Sequence, residues 1–98
     1  MRLRYREQAL ADLEQIFQYL DERNAVGARN VIDAIYLAIR KITDRPLSGR
    51  RTSDPDIHVK IVGRYHYKIF YIVHANEIEI LHVRHSARRP WIPDADHD

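Results

Sequence analysis

The chain has 98 residues, of which 45% are hydrophobic and 31% charged, with a formal net charge of +2 and no cysteine. This length and composition indicate one soluble globular domain, and the lack of cysteine excludes disulfides and thiolate metal sites. No apolar run approaches the roughly 18 residues of a membrane span, and no apolar segment follows the N-terminal charges as in a signal peptide. We expect a cytoplasmic domain over residues 1–93 and a flexible acidic tail at residues 94–98.

Charge is distributed unevenly along the chain. Residues 7–44 carry four basic and seven acidic residues, whereas residues 45–93 carry nine basic and four acidic residues. Such asymmetry predicts a polarised surface whose basic part comes from the second half of the chain. Ordinary surface charge that maintains solubility is the alternative interpretation.

The first half of the chain predicts a short strand and two helices. Leu3 and Tyr5 alternate with arginines, as in a strand. A first helix has one apolar stripe, with Asp12 off the stripe, and a second helix has a wider one. The stripe residues are Leu10, Leu13, Ile16, Phe17 and Leu20, then Ala28, Val31, Ile32, Ile35, Ala38, Ile39 and Ile42. A break near residues 23–27 and the pair Pro46 and Gly49 delimit the second helix, so a helical hairpin is expected.

After Asp56 the apolar period changes to two, which predicts strands at residues 57–61, 65–73 and 77–84. Gly63 and the pair Ala75-Asn76 supply the turns between them. The expected fold is therefore α+β: a short N-terminal strand, a two-helix hairpin and a three-stranded antiparallel meander. Both helices should cover one face of the sheet and leave the other face open.

No strong catalytic signature is present in the sequence. It has no Gly-rich phosphate loop, no His-Glu-x-x-His helix and no nucleophile elbow. Of the six histidines, only His82 and His85 are close in sequence, and no carboxylate stands at ligand spacing beside them. We therefore expect structural or solvated histidines, with no metal and no cofactor.

Three basic segments could bind a partner. Gly49-Arg50-Arg51 follows the second helix, and a stretch from Lys60 to Lys68 interleaves Arg64, His66 and Lys68 with two tyrosines. The segment from His82 to Pro90 is the densest, with three arginines and two histidines. Cations beside aromatic residues suit phosphate and base contacts. The alternatives are a solvated loop, half-buried tyrosines with fringing charges, and the charged end of a strand.

The order and spacing of several segments resemble the RelE/ParE toxin superfamily over residues 3–90. The segments are Ala9, Asp12, Leu13 and Ile16 in the first helix; Ile42, Pro46 and Gly49-Arg50 after the second; Tyr67–Tyr71; and Ile78–His85 with Arg88. This resemblance implies a growth-inhibiting bacterial toxin from a type II toxin-antitoxin module. It also implies a cognate antitoxin that silences the toxin in a hetero-oligomer.

The superfamily divides by target, and the resemblance leaves two functions open. The ParE branch poisons DNA gyrase by binding, without known catalytic residues, and the long helices and the Pro-x-x-Gly-Arg segment favour it. The expected target- or partner-binding residues are Arg50, Arg64, Lys68, Arg84 and Arg88.

The alternative is a RelE-like ribosome-dependent mRNA endonuclease, for which the catalytic candidates are Lys68, His85 and Arg88. That branch usually has a late Tyr or a His-Tyr pair, whereas this chain has His85 and Trp91. The departure argues against an enzyme, although His85 could serve as a general base.

Overall fold

The fold, seen in a computed structural model, is described for residues 1–87. Arg88, Trp91 and the expected tail at residues 94–98 lie outside the described residues. The elements are β1 (Arg2–Tyr5), α1 (Glu7–Asp21), α2 (Ala25–Asp44), a 3-10 turn (Pro46–Ser48), β2 (Arg50–Arg51), β3 (Ile57–Val62), β4 (Tyr67–Val73) and β5 (Glu77–His85). This order confirms the predicted α+β fold of a strand, a helical hairpin and a meander.

The strands form one five-stranded sheet in the order β1-β5-β4-β3-β2. The predicted meander β3-β4-β5 is antiparallel, but β1 pairs parallel with β5, so the sheet is mixed. Two expectations on strand bounds were wrong. Arg50 and Arg51, expected in a loop, form a short strand on β3. β4 begins at Tyr67 rather than at residue 65, because His66 has a left-handed backbone (φ 61°) that cannot continue a strand.

Both helices pack on one face of the sheet, as their apolar stripes predict. Ile35, Ile39 and Ile42 of α2 are at most 1% exposed and lie against Ile69 and other side chains of the sheet. The break between the helices is closed by the side chain of Asn24, which accepts a hydrogen bond from Gly27 N–H at 3.0 Å and caps α2. Within residues 1–87, neither helix is long and apolar enough to span a membrane.

A tyrosine ties the end of α2 to the sheet. The Tyr71 hydroxyl donates to the Pro46 carbonyl at 2.8 Å and accepts from Gly49 N–H at 3.0 Å. A Cβ at Gly49 would meet this hydroxyl and lie 2.9 Å from the Val59 carbonyl oxygen, so the position requires glycine for space. Burial raises the pKa of Tyr71, which keeps the hydroxyl protonated and able to donate. The Pro-x-x-Gly segment and the Tyr-rich strand are thus one structural unit.

The sheet face opposite the helices carries its own apolar cluster. Ile57, Phe70 and Leu81 are buried there, and Val59 and Ile72 pack against them. A bulge makes this possible: the pairing changes from Phe70–His82 to Tyr71–Ile80, so that Leu81 is an extra residue on β5. This open face therefore has a buried apolar centre, where Ile57, Phe70 and Leu81 are only 4%, 6% and 3% exposed.

Strand β1 is held on β5 by an ionic cluster around Glu79, whose side chain is only 8% exposed. Its carboxylate lies 3.1 Å from Arg6 Nη2, 3.5 Å from Arg4 Nη2 and 2.9 Å from His74 Nε2. Burial alone would raise the pKa of Glu79. The hydrogen bond from His74 and the charges of Arg6 and Arg4 outweigh burial and hold this pKa below its ordinary value of 4.5.

We expect Glu79→Gln to lower the free energy of unfolding at pH 7 by about 1–2 kcal/mol. The variant loses charge-assisted hydrogen bonds, but Arg4 and Arg6 are half exposed, so solvent screens much of their contribution. A lowered folded pKa contributes stability above the unfolded pKa, and this contribution is lost as pH falls through the folded value. The difference between wild type and variant should therefore narrow below pH 4.5. Urea unfolding from pH 3 to 7 checks this, with Glu14→Gln at an exposed position of α1 as the control. A difference that does not change with pH would contradict it.

Candidate functional site at the free edge of strand β5

Three of the predicted binding residues meet at one end of the sheet. Lys68 and Arg84 are cross-strand partners in the β4–β5 ladder, so their side chains share the open face. Arg64 lies in the β3–β4 turn at the same end. Arg50 lies apart, on β2 at the opposite edge of the sheet, and Arg88 lies outside the described residues.

Beside this basic end, a groove runs between α1 and the last part of β5. β1 pairs with β5 only as far as Ile80, which leaves the following residues of β5 without β1 at their side. The groove has a volume of about 580 Å³. Its walls include Gln8, Gln15, Tyr19, Tyr67, Arg84 and His85.

Asp12 of α1 takes the place of a strand neighbour along this edge. The residue is only 7% exposed. Its Oδ2 accepts the backbone N–H of Val83 at 2.9 Å and contacts His82 Nδ1, and its Oδ1 accepts the amide of Gln8 at 2.8 Å. The Asp12 carboxylate thus satisfies the backbone N–H of Val83, which would otherwise be available to pair with another strand. The expectation that Asp12 lies off the buried stripe was wrong.

The contacts of His82 define its tautomer. Its Nε2 lies 3.2 Å from Arg84 Nη1, and a guanidinium has only donors. Nε2 therefore accepts, and the proton sits on Nδ1, from which it is donated to Asp12. Asp12, His82 and Arg84 form a chain in which both imidazole nitrogens are engaged.

His85, the candidate general base, also has its lone pair engaged. Its Nδ1 accepts the backbone N–H of Ala87 at 3.0 Å, which places the proton of the neutral ring on Nε2. The ring lies edge-on to Tyr67, with centroids 5.0 Å apart, and 6.5 Å from the ring of His66. In this arrangement His85 can donate a hydrogen bond through Nε2, while its lone pair faces the backbone N–H of Ala87.

The site therefore offers cations and hydrogen-bond donors rather than a ready base. Lys68, Arg84 and the Nε2–H of His85 can bind anionic or carbonyl groups of a partner. Across residues 1–87, no group of three or more His, Cys, Asp or Glu side chains is placed to hold a metal ion. Sequence reasoning missed the pairing of Asp12 with His82. The available signal was the position of Asp12, three residues after Ala9 and four before Ile16, which is the spacing of one helix face.

Solved structures of other proteins share this fold over most of the chain. The structure described as the chromosomal ParDE TA system from P. aeruginosa has a TM-score of 0.76 at 20% identity, covering 87% of this chain and 95% of that chain. The intact E. coli RelBE toxin-antitoxin complex has a TM-score of 0.67 at 14% identity, covering 89% of this chain and 98% of that chain. The YoeB dimer from Staphylococcus aureus has a TM-score of 0.61 at 12% identity, covering 87% of this chain and 95% of that chain. Identities this low show a shared fold alone.

The fold is thus that of the RelE/ParE class of toxins. Residues 3–90 match the family described as "ParE toxin of type II toxin-antitoxin system, parDE". The chain belongs to this ParE toxin family, and it is a toxin of a type II toxin-antitoxin system. The search among curated proteins found no match.

Proposed function

We propose that this chain inhibits bacterial growth by binding DNA gyrase in the cytoplasm, without cleaving a substrate itself. The observation that carries the proposal is the engagement of the candidate base His85 and of the nearby His82. His82 is held between Asp12 and Arg84, and the lone pair of His85 accepts a backbone N–H. A poison that acts by binding needs neither residue as a base.

The chemistry of RNA cleavage explains why this observation matters. Attack by a 2′-hydroxyl needs a base for that hydroxyl, an acid for the leaving oxygen and cations for the phosphorane. Lys68 and Arg84 lie side by side and can supply the cations, but a guanidinium is too basic to exchange protons near neutral pH. The binding function uses the same cations without proton transfer.

We further propose that a cognate antitoxin neutralises the chain in a hetero-oligomer. The open face supports this, because Ile61, which is 39% exposed, is the cross-strand partner of Lys68 and so adjoins the cationic pair Lys68 and Arg84. Val59 is also partly exposed there. An amphipathic segment with acidic residues would match both parts and would become ordered on binding.

One contact favours the alternative function, a ribosome-dependent mRNA endonuclease. His85 lies edge-on to Tyr67, so a His-Tyr pair does exist, although Tyr67 comes from β4 rather than from the end of the chain. In this alternative Lys68, His85 and Arg88 are the catalytic candidates.

Induced expression of wild type and His85→Ala, with DNA damage and translation followed in parallel, separates the two functions. We expect DNA damage to precede any loss of translation, and His85→Ala to retain toxicity within about threefold, because binding needs no base. His85→Gln, which keeps a side-chain donor, is the matched control, and thermal unfolding verifies the fold of both variants. If His85→Ala abolished toxicity and ribosome-stimulated cleavage together while folded, the endonuclease function would replace the proposed one.

A further inference from the structure

The outer surface of the helical hairpin carries apolar side chains that the core does not use. Leu10 and Phe17 of α1 and Tyr36 of α2 are 53%, 42% and 45% exposed. They border a groove of about 280 Å³ between the helices, and Leu13 and Ile32 also line it. Single exposed apolar residues are ordinary, but a contiguous concave set is typical of an interaction site.

This seam groove is separate from the groove at the edge of β5. Asp12, Ile16 and Tyr19 of α1 line the edge groove, whereas Leu10 and Phe17 line the seam groove. Helix α1 is the wall between them, so a partner in the seam would leave the β5 edge accessible.

One side of the seam groove is lined by Glu14, which belongs to an acidic row along α1. Glu7, Glu14 and Asp21 recur every seven residues along α1 and alternate with Leu10 and Phe17 at spacings of three and four. Within residues 1–87 no lysine or arginine forms an ion pair with any of the three, and Glu14 accepts only the amide of Gln18, at 3.3 Å. The side of the groove formed by α2 is mixed in charge, with Arg29, Asp33 and Arg40 along the helix.

We infer that the seam groove docks an amphipathic helix of a partner protein whose flank carries lysine or arginine at heptad spacing. The apolar groove suits the apolar stripe of a helix, and the acidic row requires positive charges opposite it. A second copy of this chain fits less well, because two-fold packing of α1 on α1 would set the two acidic rows against each other. The basic end of the sheet favours an acidic partner, whereas the seam groove favours a basic one, so the two surfaces should select partners of opposite charge.

The inference is tested on the full chain with a synthetic helical peptide of about three heptads, which carries leucines on one stripe and lysines beside it. A matched peptide has glutamate for every lysine. Fluorescence anisotropy should show at least about tenfold tighter binding of the lysine peptide at low salt, with weaker discrimination at high salt. NMR shifts should map to residues around Leu10, Phe17 and Tyr36.

Two variants make the test decisive. Glu14→Lys with Asp21→Lys should invert the preference in favour of the glutamate peptide, and Phe17→Ser should weaken binding of both peptides by about tenfold or more. Both changes are at exposed positions, and thermal unfolding verifies that the domain stays folded. The inference is overturned by equal binding of the two peptides, by shifts confined to the β5 edge, or by self-association through the seam that Phe17→Ser abolishes.

Discussion

Asp12→Ala is expected to lower the free energy of unfolding by about 3–5 kcal/mol, a large share of the roughly 5–15 kcal/mol that stabilises a small domain. The reason is the number of donors that the buried carboxylate satisfies. Its removal leaves the backbone N–H of Val83 and the Nδ1–H of His82 without their acceptor. The Gln8 amide loses its partner as well. Each unsatisfied buried donor costs about 1–3 kcal/mol.

Urea unfolding monitored by circular dichroism measures the loss, and two further variants define its origin. Asp12→Asn can keep one acceptor oxygen for both Val83 and His82 but turns its NH2 donor toward the Gln8 amide, so it should lose about half as much. Glu14→Ala, on the exposed side of the same helix, should change stability by less than about 0.5 kcal/mol. A loss below about 1 kcal/mol for Asp12→Ala would mean that the edge of β5 does not depend on this carboxylate.

The fold could be predicted because periodicity reports which face of each element is buried, although Leu10 and Phe17 of the predicted α1 stripe are 53% and 42% exposed. Ile35, Ile39 and Ile42 recur at helical spacing and are buried, and the change to alternation after Asp56 marks the sheet. The meander follows because its strands are joined by short turns. What the pattern could not show is the partner of β1, since the pairing of Leu3 with Ile78 joins distant parts of the chain.

The candidate site was only partly predictable, for the same reason. Lys68 and Arg84 could be named because basic residues are visible in sequence, and the antiparallel ladder brings them together. The link from Asp12 to His82 spans 70 positions, and no local pattern specifies it. The bulge at Leu81 was also missed. Its signal is the apolar run of Ile80 and Leu81, which interrupts strict alternation.

Charge reversal at the basic end of the sheet has the second large expected effect. Under the proposed gyrase-binding function, Lys68→Glu with Arg84→Glu should reduce growth inhibition and the binding of purified gyrase by about 100-fold or more. The two residues are cross-strand partners, so the change replaces adjacent positive charges with adjacent negative ones. Like charges across an interface cost several kcal/mol, and a factor of ten corresponds to about 1.4 kcal/mol.

Three comparisons assign the loss to charge at this surface rather than to damaged structure. Lys68→Gln with Arg84→Gln removes the charges without reversing them, so its loss should be about tenfold and should shrink as salt is raised. Arg51→Glu, an exposed reversal on β2 at the far edge of the sheet, should lose less than about twofold, because it lies away from the basic end. Thermal unfolding must show each variant folded, since Arg84 also contacts His82. If the folded double reversal kept full potency, the surface that meets the target would have to lie elsewhere, because no interface tolerates such a change in charge at its centre without loss of affinity.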